Sequence, residues 1–331
     1  MLVSNFEYHA NVFGRSRDYL IERARKYRKA TEEFSSTVAD ELRGAADSSG
    51  ISPEEIYVLA AFCELIYPPA PRATNHCTSF AVRNGATSDG LTYVGQNDDE
   101  SINPWLGGEE CVTVVRYVPD NGSEPRVLAY SYAGVPAQMG INSQGLAVCI
   151  NALHYDRARE EDGVPMWCLV RETLNQKNVE DAIELIRETR RAYSLNFVLG
   201  DTKQIADLET TPESVTVTLS DEMLYHSNHY LHSTDPKIGP QDTAGFQNTK
   251  LRLQRITDLM EPMNGRFNLE TLESFLRDHG NRPDSICCHS GERPSNPDGR
   301  TFDGMIYIPE KREAWITRGN PCQNEFIRYD A

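Results

Sequence analysis

The chain has 331 residues, 39% apolar and 25% charged, enough to bury a substantial core and too apolar for a disordered segment. Its 33 Lys and Arg stand against 49 Asp and Glu, a net charge of −16. That acidity argues against a nucleic-acid partner, whose phosphates need clustered basic residues. No run of about 18 apolar residues exists, so no membrane-spanning helix or membrane partner is expected.

The first thirty residues lack the apolar core of a signal peptide and are crowded with basic residues from Arg15 to Lys29. Without an export signal, the eight cysteines read as reduced thiols, several inside apolar runs, and a cytoplasmic location is expected. Arg17–Leu42 has apolar residues at helical intervals and predicts one amphipathic helix, followed by a loop over Ala45–Gly50. Ser52-Pro53-Glu54-Glu55 supplies an N-cap, a first-turn proline and an acidic first turn for a second helix, to about Tyr67. Pro68, Pro69 and Pro71 end it in a stiff, extended linker.

From Cys77 the period changes. Short runs rich in Val, Thr, Tyr and Ile predict strands at Cys77–Val82, Leu91–Gly95, Cys111–Val118, Arg126–Tyr132 and Gly145–Ile150. Asn84-Gly85 and Asp89-Gly90 are turn signals between them. Helices are predicted at Pro165–Asn175 and Val179–Arg191, then strands at Ser194–Gly200, Gln204–Glu209, Val215–Leu219 and Leu224–Tyr230. Two more helices, Thr249–Met260 and Leu269–Asp278, precede strands at Met305–Ile308, Ala314–Thr317 and Glu325–Tyr329. Strand runs alternating with helix pairs predict an α+β design, antiparallel sheets with helices packed outside them.

Cys77 stands where the helical leader gives way to the first strand. Cleavage before it would place a thiol and an α-amine on one residue. A free α-amine titrates near about 7.7–8.0, close enough to neutrality to act as base for that thiol. A buried strand cysteine is the simpler reading of Cys77 alone. His226, His229 and His232, and the Cys287-Cys288-His289 run, raise a metal reading. Neither HExxH nor paired CxxC accompanies them, so no metal and no cofactor are expected. Cys287 and Cys288 read as core or cleft-wall residues rather than a redox pair.

Five landmarks occur in order: Cys77-Thr78-Ser79, Gly95-Gln96-Asn97-x-Asp99, Gly140-Ile141-Asn142-Ser143-x-Gly145-Leu146, His226-Ser227-Asn228-His229 and Gly319-Asn320-Pro321-Cys322. Together they resemble the isopenicillin N acyltransferase-like family of cysteine N-terminal nucleophile (Ntn) hydrolases, with bile-salt hydrolases and penicillin V acylases as more distant relatives. The resemblance implies a four-layer αββα sandwich over 77–331, preceded by a helical pro-segment over 1–76 that is cut off between His76 and Cys77 and stays associated. It implies Cys77 as nucleophile and Asp99 as the partner of the N-terminal amine. It also implies Asn228, helped by Asn151, as oxyanion donor, and Arg252 as an active-site arginine. The expected reaction is cleavage of a linear amide in an N-acylated small molecule through a Cys77 thioester. Alternatives are acyl transfer from acyl-CoA or an amide to an acceptor amine, and, from another class, a metal-dependent hydrolase or a non-catalytic binding protein. A homo-oligomer is left open.

The chain departs from the family pattern twice. His76 replaces the glycine common before the nucleophile. Asp98-Asp99-Glu100 stands where relatives read aromatic-Asp-aromatic. The extra carboxylates lead to the expectation that Asp98 and Glu100, with His229, bind a cationic or polar amine portion of the substrate.

Overall fold

The computed structural model describes residues 2–66, 77–101, 108–120, 122, 124–155, 162–241, 246–293 and 296–331. Pro68, Pro69, Pro71 and His76 therefore lie outside the described residues. Helix α1 (Leu2–Phe13) comes first, and α2 (Arg17–Phe34) and α3 (Ser36–Ser49) stand where a single helix over Arg17–Leu42 was expected. The break is at Ser35, whose extended backbone ends α2 while its hydroxyl accepts from Val38 N to start α3. The expected loop at Ala45–Gly50 is the last part of α3, which runs on until Gly50 takes the left-handed cap position at φ 66°. Helix α4 (Pro53–Ala60) carries the anticipated capping box between Ser52 and Glu55, and the short α5 (Phe62–Ile66) follows.

Thirteen strands form two sheets among the described residues, with every strand pairing antiparallel. β1 (Thr78–Val82), β2 (Tyr93–Ser101), β10 (Met223–His226), β11 (Gly299–Ile308), β12 (Glu313–Ile316) and β13 (Ile327–Asp330) make the first, in the order β10-β1-β2-β11-β12-β13. β3 (Val112–Tyr117), β4 (Val127–Tyr132), β5 (Met139–Asn142), β6 (Ala147–Ala152), β7 (Leu195–Gly200), β8 (Ile205–Thr210) and β9 (Val215–Ser220) make the second, in chain order.

Strand alternation sorts the side chains into layers. Phe80, Val82 and Tyr93 of the first sheet pack outward against Ile256 and Met260 of α8 (Gln247–Met260) and Leu272 of α9 (Leu269–Leu276). Ala81, Val94 and Tyr307 pack inward against Tyr130, Ile141 and Val198 of the second sheet. The far face of that sheet is covered by α6 (Met166–Thr173), α7 (Val179–Glu188) and the N-terminal helices. The result is the expected αββα order. Gly95 has a packing reason: a Cβ there would stand 2.4 Å from Cζ of Phe80.

The N-terminal helices are tied to the sandwich by polar contacts as well. Arg171 of α6 donates to Glu41 of α3, Ser35 to Glu172, and Met166 N to Glu64 at 2.6 Å. Among the described residues no helix is long and apolar enough to cross a membrane.

Candidate active site

Cys77 is buried at the entrance to β1, and both of its backbone polar groups are held by side chains. Its N–H donates to Asn228 Oδ1 at 2.7 Å, and its carbonyl accepts from Arg252 Nη1. Arg252 also donates to Thr78 Oγ1 at 2.8 Å and, through Nη2, to Asn228 Oδ1 at 2.8 Å. Burial lowers Arg252 to about 10, with Asp99 working against the fall, so it stays cationic at neutral pH. One guanidinium thus clamps Cys77, β1 and Asn228, a task that suits its rigid fork of donors.

Asn228 follows β10 in a segment fixed by two networks. Glu209 of β8 accepts from His226 Nε2 and from the backbone N–H groups of Leu231, His232 and Ser233. Thr249 Oγ1 accepts from Asn228 N at 2.6 Å and contacts Ser227 and His229. Two donors on Oδ1 fix the Asn228 amide, whose Nδ2 donates to the carbonyl of Ala152 at 3.1 Å. The second Nδ2 hydrogen has no acceptor among the described residues.

Asp98 and Asp99 are both buried, and burial pushes both carboxyls up to about 6. Asp99 Oδ1 accepts from Thr301 Oγ1 at 2.6 Å, and its Oδ2 lies 4.0 Å from Arg293 Nη1. The guanidinium charges of Arg293 and Arg252 oppose its rise. Asp98 faces the other sheet, accepting from Tyr132 at 2.6 Å, Tyr130 at 3.0 Å and Gln138 at 2.9 Å. A bulge in β11 between Thr301 and Asp303 serves both, setting Thr301 opposite Asp99 and Asp303 opposite Asp98. Burial, then the charges of Asp98, Asp99 and Glu100, drives the Cys77 thiol well above its ordinary range, against a backbone hydrogen bond from Asp99.

The structure gathers Cys77, Asn228 and Arg252 into direct contact, with Asp99 beside them. Three expectations change. Asp98 is enclosed between the sheets by Tyr132, Gln138 and Tyr130, the last sharing its one hydrogen with Asp303 at 2.7 Å, so it does not face a substrate. Asn151 spends its Nδ2 on Ser79 Oγ at 2.6 Å and Asn196 Oδ1 at 2.7 Å, which leaves no hydrogen for an oxyanion. His229 is bound through Nδ1 to Thr249, and burial pulls it down to about 4, so it is a neutral support for the Asn228 segment. In the intact chain the Cys77 nitrogen bonds to Asn228 rather than to Asp99. Glu100 is half-buried and near enough for its charge to act on Cys77. The three histidines 226, 229 and 232 do not form a metal cluster; His226 gathers instead with Asp207 and Glu209.

Thr301, Arg293 and Cys288 were not anticipated. Cys288 lies beside Asp99, and its N–H donates to Thr301 Oγ1 at 3.0 Å. Only the pairing of β2 with β11, across about two hundred residues, brings Thr301 to Asp99, and no local signal encodes it.

Solved Ntn hydrolases share this architecture. A conjugated bile acid hydrolase from Clostridium perfringens superposes with a TM-score of 0.51 at 15% identity, covering 77% of this chain and 97% of that one. Penicillin V acylase from Agrobacterium tumefaciens gives 0.51 at 12%, covering 77% and 86%. The Caenorhabditis elegans ortholog of N-acylethanolamine-hydrolyzing acid amidase gives 0.50 at 14%, covering 70% and 93%. The fold is therefore the Ntn-hydrolase sandwich. Residues 86–323 match the acyl-coenzyme A:6-aminopenicillanic acid acyl-transferase family, and the chain belongs to that family. The 40 kDa form of acyl-coenzyme A:6-aminopenicillanic-acid-acyltransferase from Emericella nidulans is 26% identical over 200 residues. That alignment spans 60% of this chain and about half, 54%, of the relative.

Proposed function

We propose that the protein is an autoprocessing cysteine Ntn hydrolase that cleaves the amide of an N-acylated small molecule. The observation that carries this reading is the double grip on Cys77, its nitrogen on Asn228 and its carbonyl on Arg252, with Asp99 adjacent. Processing begins when the Cys77 sulfur attacks the carbonyl carbon of His76. The peptide C–N bond breaks and the nitrogen takes a proton, which frees the α-amine; water then hydrolyses the thioester, releasing the Cys77 thiol and the His76 carboxylate. In the mature enzyme that amine removes the thiol proton, the thiolate attacks the substrate carbonyl, and the spare Nδ2 hydrogen of Asn228 stabilises the oxyanion. An α-ammonium has more hydrogens than an amide N–H, so it can hold Asn228 and reach Asp99 as well. The amine product leaves, and water releases the acid.

Residues 1–76 act as pro-segment and 77–331 as catalytic domain, working in the cytoplasm. Glu41 and Glu64 supply contacts that would keep the two parts together after cleavage. Burial, then the charges of Glu64, Glu100, Asp98 and Cys77, pushes the Cys63 thiol of α5 well up. Preference for an amine-bearing substrate now rests on Glu100 alone. Acyl transfer is the second reading, favoured by the family the chain belongs to.

The test is to offer processed protein a panel of N-acyl amines and acyl-CoA, with and without acceptor amines, and to look for an acyl group on Cys77. A hydroxylamine-labile adduct on Cys77 with release of free acid supports hydrolysis, and acyl-acceptor product supports transfer. Turnover without an adduct, persisting in Cys77→Ala, overturns both.

A further inference from the structure

We propose that His279, Cys287, His289 and Cys322 form a tetrahedral site for a zinc-class cation, separate from the reacting groups. One ligand atom from each of the four lies within 4.8 Å of every other. His279 Nε2 stands 3.0 Å from His289 Nε2, and Cys322 Sγ stands 3.4 Å from the same His289 atom. Around a cation with nitrogen at about 2.0–2.1 Å and sulfur at about 2.3 Å, tetrahedral edges come to roughly 3.3–3.8 Å, so small shifts complete the shell. The two imidazole rings are tilted by 33° with centroids 5.2 Å apart, and their Nε2 atoms converge on one point.

The donor chemistry selects the ion. Thiolates and imidazoles favour zinc over magnesium or calcium, which take oxygen ligands. Two thiolates and two neutral imidazoles exactly offset a divalent charge, so a neutral cluster suits its partly buried position; binding releases the two thiol protons. Asn320 Nδ2 lies 3.8 Å from Cys287 Sγ, placed to donate to a thiolate, and donates to the Cys288 carbonyl at 2.8 Å. Cys287 is buried while the other three are half-buried, which leaves the ion a way in. Four protein ligands close the shell to water, so this is a structural centre and not the water-activating metal of a hydrolase. The spacing conceals it: three ligands follow α9, and the fourth comes from the β12–β13 connection.

The site has a consequence for the nucleophile. Cys288 lies in sequence between two of the ligands, Cys287 and His289, and its carbonyl accepts from Thr301 N while its N–H donates to Thr301 Oγ1. A metal joining the 279–289 loop to Cys322 would hold the wall against which Thr301 and Asp99 are set.

The test uses the full-length protein. Elemental analysis after exposure to zinc and desalting is expected to find one zinc per chain. Cobalt substituted for zinc is expected to give a thiolate-to-cobalt charge-transfer band and the intense visible bands of tetrahedral geometry. Cys322→Ser is expected to lose the metal on desalting, and the cobalt spectrum of the unaltered protein stands even if that variant misfolds. The proposal is overturned if zinc-exposed protein retains none, or if the cobalt spectrum lacks the thiolate band. Unchanged zinc in Cys322→Ser, or a Cys287–Cys322 disulfide in peptide maps of protein purified under reducing conditions, would overturn it equally.

Discussion

Asp98 and Asp99 are neighbours on β2, equally buried and pushed to about the same value, yet they belong to different parts of the molecule. Asp98 reaches across to the second sheet, where neutral donors from Tyr130, Tyr132 and Gln138 surround it. Asp99 meets Thr301 and is flanked by two guanidiniums next to Cys77. Burial alone therefore does not distinguish a structural carboxylate from a functional one; the identity of the neighbours does. Asp98 joins two sheets, and Asp99 joins Cys77 to its positive surroundings.

Substitutions at the two positions should separate these roles. Asp99→Asn keeps the shape but removes the charge, and kcat is expected to fall roughly 10²–10³-fold, read from steady-state rates on processed protein. Asp98→Asn is expected to leave KM for amine-bearing substrates unchanged while lowering stability by about 1–3 kcal/mol, measured by urea unfolding. A raised KM with unchanged stability would return Asp98 to the substrate site and break the comparison.

The smallest effect is a pH slope. Asp98 titrates near its ordinary 3.8 when unfolded and near about 6 when folded. Between those values the folded state holds more protons, so this group makes stability fall as pH rises from about 4 to about 6 and level off above. Asp98→Asn removes that contribution. Its deficit against the parent protein is expected to be larger at acid pH than at neutral pH, and an equal deficit at both would remove Asp98 as the source.

Much of the architecture was legible because strand alternation and turn residues are local. The missed strand, β5, is only four residues long, buried along its whole length, and carries Gly140, so it offered no alternation to read. The helix break at Ser35 was signalled by a serine that can cap, but the apolar pattern running past it hid the signal. In the site, Cys77 and Asn228 were recognisable from ordered landmarks, and Arg252 only from its place relative to the family's arginine. Asp98 and Glu100, two apart on one strand, were expected to face the substrate together, but the side chain of Asp98 is taken up by donors from the second sheet, which only the pairing of the two layers reveals. Thr301, Cys288 and Arg293 depend on distant pairing, and the converging histidines and cysteines after α9 depend on loop conformation.

In the proposed reaction Cys77 is the nucleophile, first toward its own chain and then toward a substrate. Intact-mass analysis of freshly purified protein, beside Cys77→Ala, tests it most directly. Two fragments that meet at His76–Cys77 and still co-purify are expected, with a single uncut chain for the variant. A parent protein that stays whole and hydrolyses no acylated amine, or a variant that is cut at the same bond, would contradict it.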